Sequence, residues 1–182
     1  TRCGRAARPP YRGMPDSLTS SEILHDMVAS ALRAGADAAE AVTAERAALS
    51  VGVRNGALED VEREESRDLG LRVFIGRRQA SVSASDLSAT TRKRLIERAV
   101  AMARLAPEDP YSALVSADQL AQGPFLDLEL YDPSDPTAAE LEQVAAETEA
   151  AALAVVGVSR SEGGHASTAY RRWRLVTSEG FD

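Results

Sequence analysis

The dipeptide Asn55-Gly56, set between two runs whose apolar residues alternate, constrains the fold more than any other feature of the sequence. Both central positions of a type I′ turn need positive φ, which asparagine and glycine adopt at low steric cost, so the pair closes a two-residue β-hairpin. Before it, Leu49, Val51 and Val53 alternate with Ser50, Gly52 and Arg54, the period of a half-buried strand. After it, ALEDVEREES reads as an acidic return strand. Leu69, Leu71, Val73 and Ile75 alternate again, Gly76-Arg77 marks another turn, and Ala80, Val82 and Ala84 continue as a fourth strand. Four consecutive antiparallel strands over residues 49–84 make a meander.

Helical patterns flank it. Thr19-Ser20-Ser21-Glu22 is a capping box that predicts a helix start, with Ile23, Leu24, Met27, Val28, Ala31 and Leu32 on one stripe and Gly35 as a left-handed end. Asp86 or Ser88 caps the next helix, whose stripe is Leu95, Ile96, Ala99, Val100 and Ala103, and Pro107 stops it. Asp135-Pro136 opens a third, with Leu141, Val144, Ala145, Thr148, Ala152 and Val155 on one side. VVGVSRS and HASTAYRRWRLVTS then read as two strands of a hairpin around Gly163-Gly164.

The expected fold is α+β: a two-layer α/β sandwich with an antiparallel β-meander packed against helices. Its hydrophobic fraction of 44% holds only 4% aromatics, which favours helices packed through small side chains. The expected organisation is a leader or disordered arm over 1–18, a helix, four-stranded meander and helix over 19–106, and a connection over 107–135 with a short extended DLEL. A helix plus β-hairpin follows over 136–182. The arm contains TRCGRAARPPYRG, with four arginines and no acid, ahead of Met14. The run RWRLVTSEGFD stops without a polar tail, which gives the expectation that the natural chain continues into a C-terminal domain.

A formal net charge of -7 and a pI near 5.0 oppose a nucleic-acid role, because phosphate backbones are bound mainly by clustered lysine and arginine. The single cysteine, Cys3, forms neither an internal disulfide nor a cysteine metal cluster. No apolar run approaches the roughly 20 residues of a membrane-spanning helix. A cytoplasmic protein with no membrane contact is expected.

Candidate chemistry is sparse. Zinc needs three or four converging ligands, and the inventory is His25, His165, Cys3 and carboxylates. His25 lies beside a helical stripe, and Glu162-Gly-Gly-His165 offers one histidine with no second at helical spacing, so both read as non-ligands. Glu59, Asp60, Glu62, Glu64 and Glu65, interrupted by Arg63 and followed by Arg67, read as a solvated edge strand. Gly76-Arg77-Arg78-Gln79 and Gly163-Gly164 do not open a helix as a phosphate-cradling loop does. Tyr170-Arg171-Arg172-Trp173-Arg174 mixes aromatics with arginines but alternates as an ordinary two-faced strand. Ser81, Ser83, Ser85 and Ser88 have no base nearby in sequence. On residue chemistry, no catalytic, metal or substrate-binding residue is assigned.

Five segments in the same order resemble the TldD/PmbA family, closest to its PmbA (TldE) branch. They are GADAAEA at 35–41, VGVRNGALEDVEREESRDLGLRVF at 51–74, SVSASDLS at 81–88, DLELYDP at 127–133 and SRSEGGHASTAYRR at 159–172. The resemblance runs from about Ser20 onward and implies the N-terminal domain of a longer protein. It further implies pairing with a TldD-like subunit, or self-association, in a cytosolic zinc-dependent metallopeptidase complex. Such complexes cleave unfolded or extended peptides, including peptide-antibiotic precursors and antitoxins. The family's zinc is held by an HExxxH helix and a later cysteine in the TldD-type subunit, and HExxxH is absent from this sequence. The resemblance therefore implies an assembly or substrate-enclosure role and transfers no catalytic residue. Two further readings stay open: a non-proteolytic regulatory module that contacts a partner such as gyrase or a toxin–antitoxin component, and zinc binding through His165.

Overall fold

The computed structural model describes residues 17–182, with side chains from residue 21 onward. The arm as far as residue 16, with Cys3 and Met14, lies outside the described residues, as does the Thr19 hydroxyl of the expected capping box.

Helix α1 (Ser17–Arg33) begins two residues before Thr19, within the range over which helix ends vary. It ends as Gly35 predicts. With φ of +100°, Gly35 donates its N–H to Leu32 O at 3.0 Å while the Ala36 N–H reaches Ala31 O at 3.1 Å, the paired bonds of a Schellman cap.

The meander has three strands where the sequence pattern predicts four. These are β1 (Ala38–Arg54), β2 (Ala57–Ile75) and β3 (Arg78–Ala84). The runs expected as separate strands at 57–66 and 69–75 are one, because Ser66-Arg67-Asp68 holds no glycine or proline and Arg67 Nε is drawn to Glu45 of β1 at 3.1 Å. Asn55 and Gly56 have φ of 53° and 72° and close the β1–β2 hairpin. The β2–β3 register runs from Leu69↔Ala84 to Ile75↔Arg78. The fourth strand comes from the other end of the sequence. It is β4 (Gly164–Thr177), which lies beside β1, so the antiparallel sheet has the order β3-β2-β1-β4.

Helix α2 (Ala89–Leu105) is capped by Ser88, whose hydroxyl accepts the Thr91 N–H. Helix α3 (Ala138–Leu153) starts at a capping box of Thr137 and Glu140. The hairpin expected around Gly163-Gly164 does not form. After α3, the Val155 N–H bonds Ala152 O and the Val158 N–H bonds Val155 O, so the residues a preceding strand would need are taken up in turns. The expected extended DLEL is also broken. The Asp127 carboxylate accepts the Glu129 N–H at 2.9 Å in an Asx turn, and Glu129 takes φ of 49°.

The described chain divides into two units, and three of the four strands contribute residues to both. The smaller comprises Arg46–Glu65 and Asp127–Tyr170; the larger comprises 17–45, Ser66–Leu126 and Arg171–Asp182. In the larger, Leu24, Met27 and Ala31 of α1 and Leu95, Ala99 and Val100 of α2 bury against Ala39, Ala41, Leu69, Leu71 and Val73 of the sheet. Alanines on β1 let the helices approach closely, and each buried Leu, Ile or Val contributes about 1.5–3 kcal/mol. The smaller core is Val51, Val53, Leu141, Ala145 and Ala166.

Candidate functional site

His25 is exposed on α1, and its Nε2 lies 3.1 Å from Asp182 Oδ2. Arg174 donates to the other carboxylate oxygen at 2.7 and 3.0 Å. Burial is the largest influence on Asp182 and raises its pKa. The His25 and Arg174 bonds together outweigh it, so the carboxyl stays below its ordinary range. His165 is exposed at the start of β4, in the other unit. Among the described residues no three His, Cys, Asp or Glu side chains gather, so they do not fit a zinc site.

The Gly163-Gly164 pair is a contact point between backbones. Gly163 has φ of +115°, and a Cβ there would sit 2.7 Å from Val53 O. A Cβ on Gly164 would sit 1.9 Å from Ala145 O, inside the α3 backbone. Close by, the Glu149 carboxylate, only 2% exposed, accepts the Asn55 N–H at 3.0 Å and the Gly56 N–H at 2.8 Å. The Gly56 N–H is the main cause of its lowered pKa, with the Asn55 N–H, the Ser161 side chain and Arg54 adding to it against burial. Arg54 also holds Glu162 at 3.1 Å. The residues around His165 thus pin the β1–β2 hairpin tip to α3 and β4.

The other candidates resolve into structural roles. In the acidic run, Glu59 pairs with Arg54, Glu64 with Arg46 and Glu65 with Arg63, as expected of a solvated strand. Ser85 donates to Asp68 at 2.8 Å, and Ser88 belongs to the α2 cap together with Asp86. The Asp86 carboxyl lies below its ordinary range, chiefly through the Thr91 hydroxyl and then the Ser88 N–H. Arg77 donates to Pro110 O, and Arg78 pairs with Glu108, which ties the β2–β3 turn to the chain after α2. Tyr170 meets Tyr131 edge-to-face at 6.1 Å, and Arg172 lies 3.8 Å from the buried Glu45. Trp173 is 71% exposed.

What remains as a functional surface is the sheet's free edges. The strand order leaves β3 and β4 at the margins, and β3 covers β2 only from Leu69 onward. The β3 edge is seven residues long; the β4 edge is fourteen, contains no proline or lysine, and exposes His165, Ser167, Ala169, Arg171 and Trp173 on alternate positions. An edge of this kind carries unpaired backbone donors and acceptors that an extended chain can match. Two buried polar anchors are absent from the candidates that the sequence suggests. Glu149 follows Leu141 and Ala145 at helical spacing, a visible signal, whereas nothing in the alternation of β1 distinguishes the buried Glu45.

The order of elements can be set beside known proteins. Residues 39–103 match PmbA/TldA metallopeptidase domain 1. Metalloprotease PmbA of Escherichia coli O157:H7 is 32% identical over 154 residues, 82% of this chain. The chain belongs to the TldD/PmbA family. A Metalloprotease PmbA homolog of Haemophilus influenzae is 36% identical over 124 residues, 68% of the chain. The chain spans about a third of the length of these curated relatives, 34% and 27% respectively. A solved Bacteroides thetaiotaomicron protein named as a modulator of DNA gyrase superposes with a TM-score of 0.78 at 18% identity, covering 90% of this chain and 37% of that one. TldE from Thermococcus kodakarensis gives a TM-score of 0.69 at 14% identity, covering 87% and 35%. At these identities the structures establish a shared fold.

Proposed function

We propose that this chain is the first-domain portion of a PmbA/TldE-like subunit in a cytoplasmic zinc metallopeptidase complex. In that complex it supplies assembly surface or helps enclose unfolded or extended peptides, such as peptide-antibiotic precursors or antitoxins. The domain-1 match over residues 39–103 carries the reading, and the long β4 edge supports the choice of an extended chain as the thing enclosed. The zinc and its HExxxH helix belong to a TldD-like partner. This chain's own residues bind, orient and exclude, and none of them moves a proton in the proteolytic step. The domain boundaries proposed for this role are 19–106 for the helix–meander–helix part, 107–135 for the connection and 136–182 for the remainder.

The test is co-expression of the full-length protein with a TldD-like subunit, followed by cleavage of an unstructured peptide with and without this protein. Copurification and cleavage that depends on its presence support the proposal. Copurification with cleavage at the same rate in its absence favours the regulatory reading, for which the gyrase-modulator names of the Bacteroides and Thermotoga maritima relatives are the supporting observation.

A further inference from the structure

The larger unit holds a cavity of about 340 Å³ on the sheet, lined by Glu40, Arg72, Leu114, Leu120, Leu175 and Phe181 among others. Its walls are apolar and its polar groups few, the composition of small-ligand sites. Arg72 Nη2 lies 2.7 Å from Glu40 Oε1, and the guanidinium sits over the Phe74 ring at 5.2 Å. The Arg72 side chain is 40% exposed, so the guanidinium keeps a solvent-facing side beside the ion pair.

We infer that this cavity binds one apolar residue of an extended peptide. The side chain lies among Leu114, Leu120, Leu175 and Phe181. The residue's carbonyl oxygen accepts from the solvent-facing side of the Arg72 guanidinium, and Glu40 accepts a peptide N–H. The ion pair selects this class of ligand: a free carboxylate or phosphate meets Glu40, a free amine meets Arg72, and a neutral peptide unit offers a donor and an acceptor without net charge. The inference rests on the reading that the protein handles extended peptides, and it adds an apolar preference that the edge alone does not impose.

The test uses the 182-residue chain, isotope-labelled, titrated with N-acetyl-leucyl-leucinamide and separately with N-acetyl-seryl-serinamide, followed by NMR. The leucine probe is expected to give saturable shifts at amides 113–121 and at Leu175 and to move the Arg72 Nε–H resonance, while the serine probe does neither. Leu120→Asp is expected to weaken the leucine probe about tenfold or more, the loss expected when a buried leucine contact is replaced by a charge. Leu114→Ser, a milder change, gives the same direction if Leu120→Asp disturbs the fold. Absent shifts, equal shifts from both probes, or unchanged affinity in both variants would overturn the assignment. Peptide cleavage by the assembled complex separates this site from the broader proposal. Cleavage that needs the protein but ignores Leu120→Asp sinks the cavity alone, and intact probe binding with cleavage independent of the protein sinks the peptidase role alone.

Discussion

A Cβ placed on Gly164 would lie 1.9 Å from the Ala145 carbonyl oxygen and 3.0 Å from Glu149 N, and both are backbone atoms that cannot swing aside. Gly164→Ala is therefore expected to cost about 3 kcal/mol or more in urea unfolding, since it forces α3 and β4 apart. Gly76 differs: it has φ of 57° and open space around it, so Gly76→Ala is expected to cost roughly 1 kcal/mol from backbone strain alone. Equal losses at the two positions would refute the backbone contact at Gly164. The Glu149 carboxylate makes a prediction in pH. Its folded pKa is depressed by the hairpin-tip N–H groups, so its contribution is fully present above the ordinary glutamate value of about 4.3 and disappears as pH falls through the lower folded value. Thermal melts should show wild type well above Glu149→Gln near neutrality, with the gap closing below about pH 4 as the carboxylate protonates. A gap that stays constant from neutral pH to pH 3 would contradict this assignment.

Among the elements, α3 owes its start to the Thr137–Glu140 capping box, and Thr137→Ala should cost about 1 kcal/mol, read from the same denaturation curves. For β4, the Ser178 N–H bonds Ala39 O at 2.8 Å, and alternation from it places the Ala169 N–H on the free side of the strand. Ala169→Pro should leave stability nearly unchanged while removing one edge donor and weakening peptide cleavage by the assembled complex; cleavage that is undiminished in a folded variant would remove β4 as a docking edge. The strands were partly legible in the sequence. Asn55-Gly56 located its hairpin because positive φ is chemically specific, and the α2 stripe matches the buried residues. Of the α1 stripe Leu32 is exposed and Ile23 only partly buried, and of the α3 stripe only Leu141 and Ala145 are buried. The first half of β1 was hard to read because Ala39, Ala41 and Ala47 are helix-favouring residues with a weak apolar signal, although their burial alternates strictly. The Gly163-Gly164 turn was misread because glycine permits a reversal and a close approach equally well, and the sequence carries no mark of Ala145 lying against it. For the candidate site, the free β4 edge depends on which strand lies outermost, and the cavity depends on residues from positions 40 to 181 meeting on one sheet; neither is periodic.

Across the whole molecule, residues 121–135 are exposed without exception and include Phe125, Leu126, Leu128, Leu130 and Tyr131, while both cores lie elsewhere in the sequence. Limited chymotrypsin digestion should cut first between 125 and 131, as identified by mass spectrometry of the fragments; first cuts within α1, α2 or β2 would contradict this ordering. The sheet order has a consequence for how the protein is made. Strand β1 leaves the ribosome just ahead of β2 and pairs with it across a two-residue turn, but its other neighbour, β4, follows only after α2 and α3. Until residues 164–177 emerge, the nascent chain carries one open flank along β1, and the core around Val51 and Val53 lacks Ala166. Synthesis that stalls or terminates before Gly164 leaves that flank for chaperones or for neighbouring nascent chains to occupy.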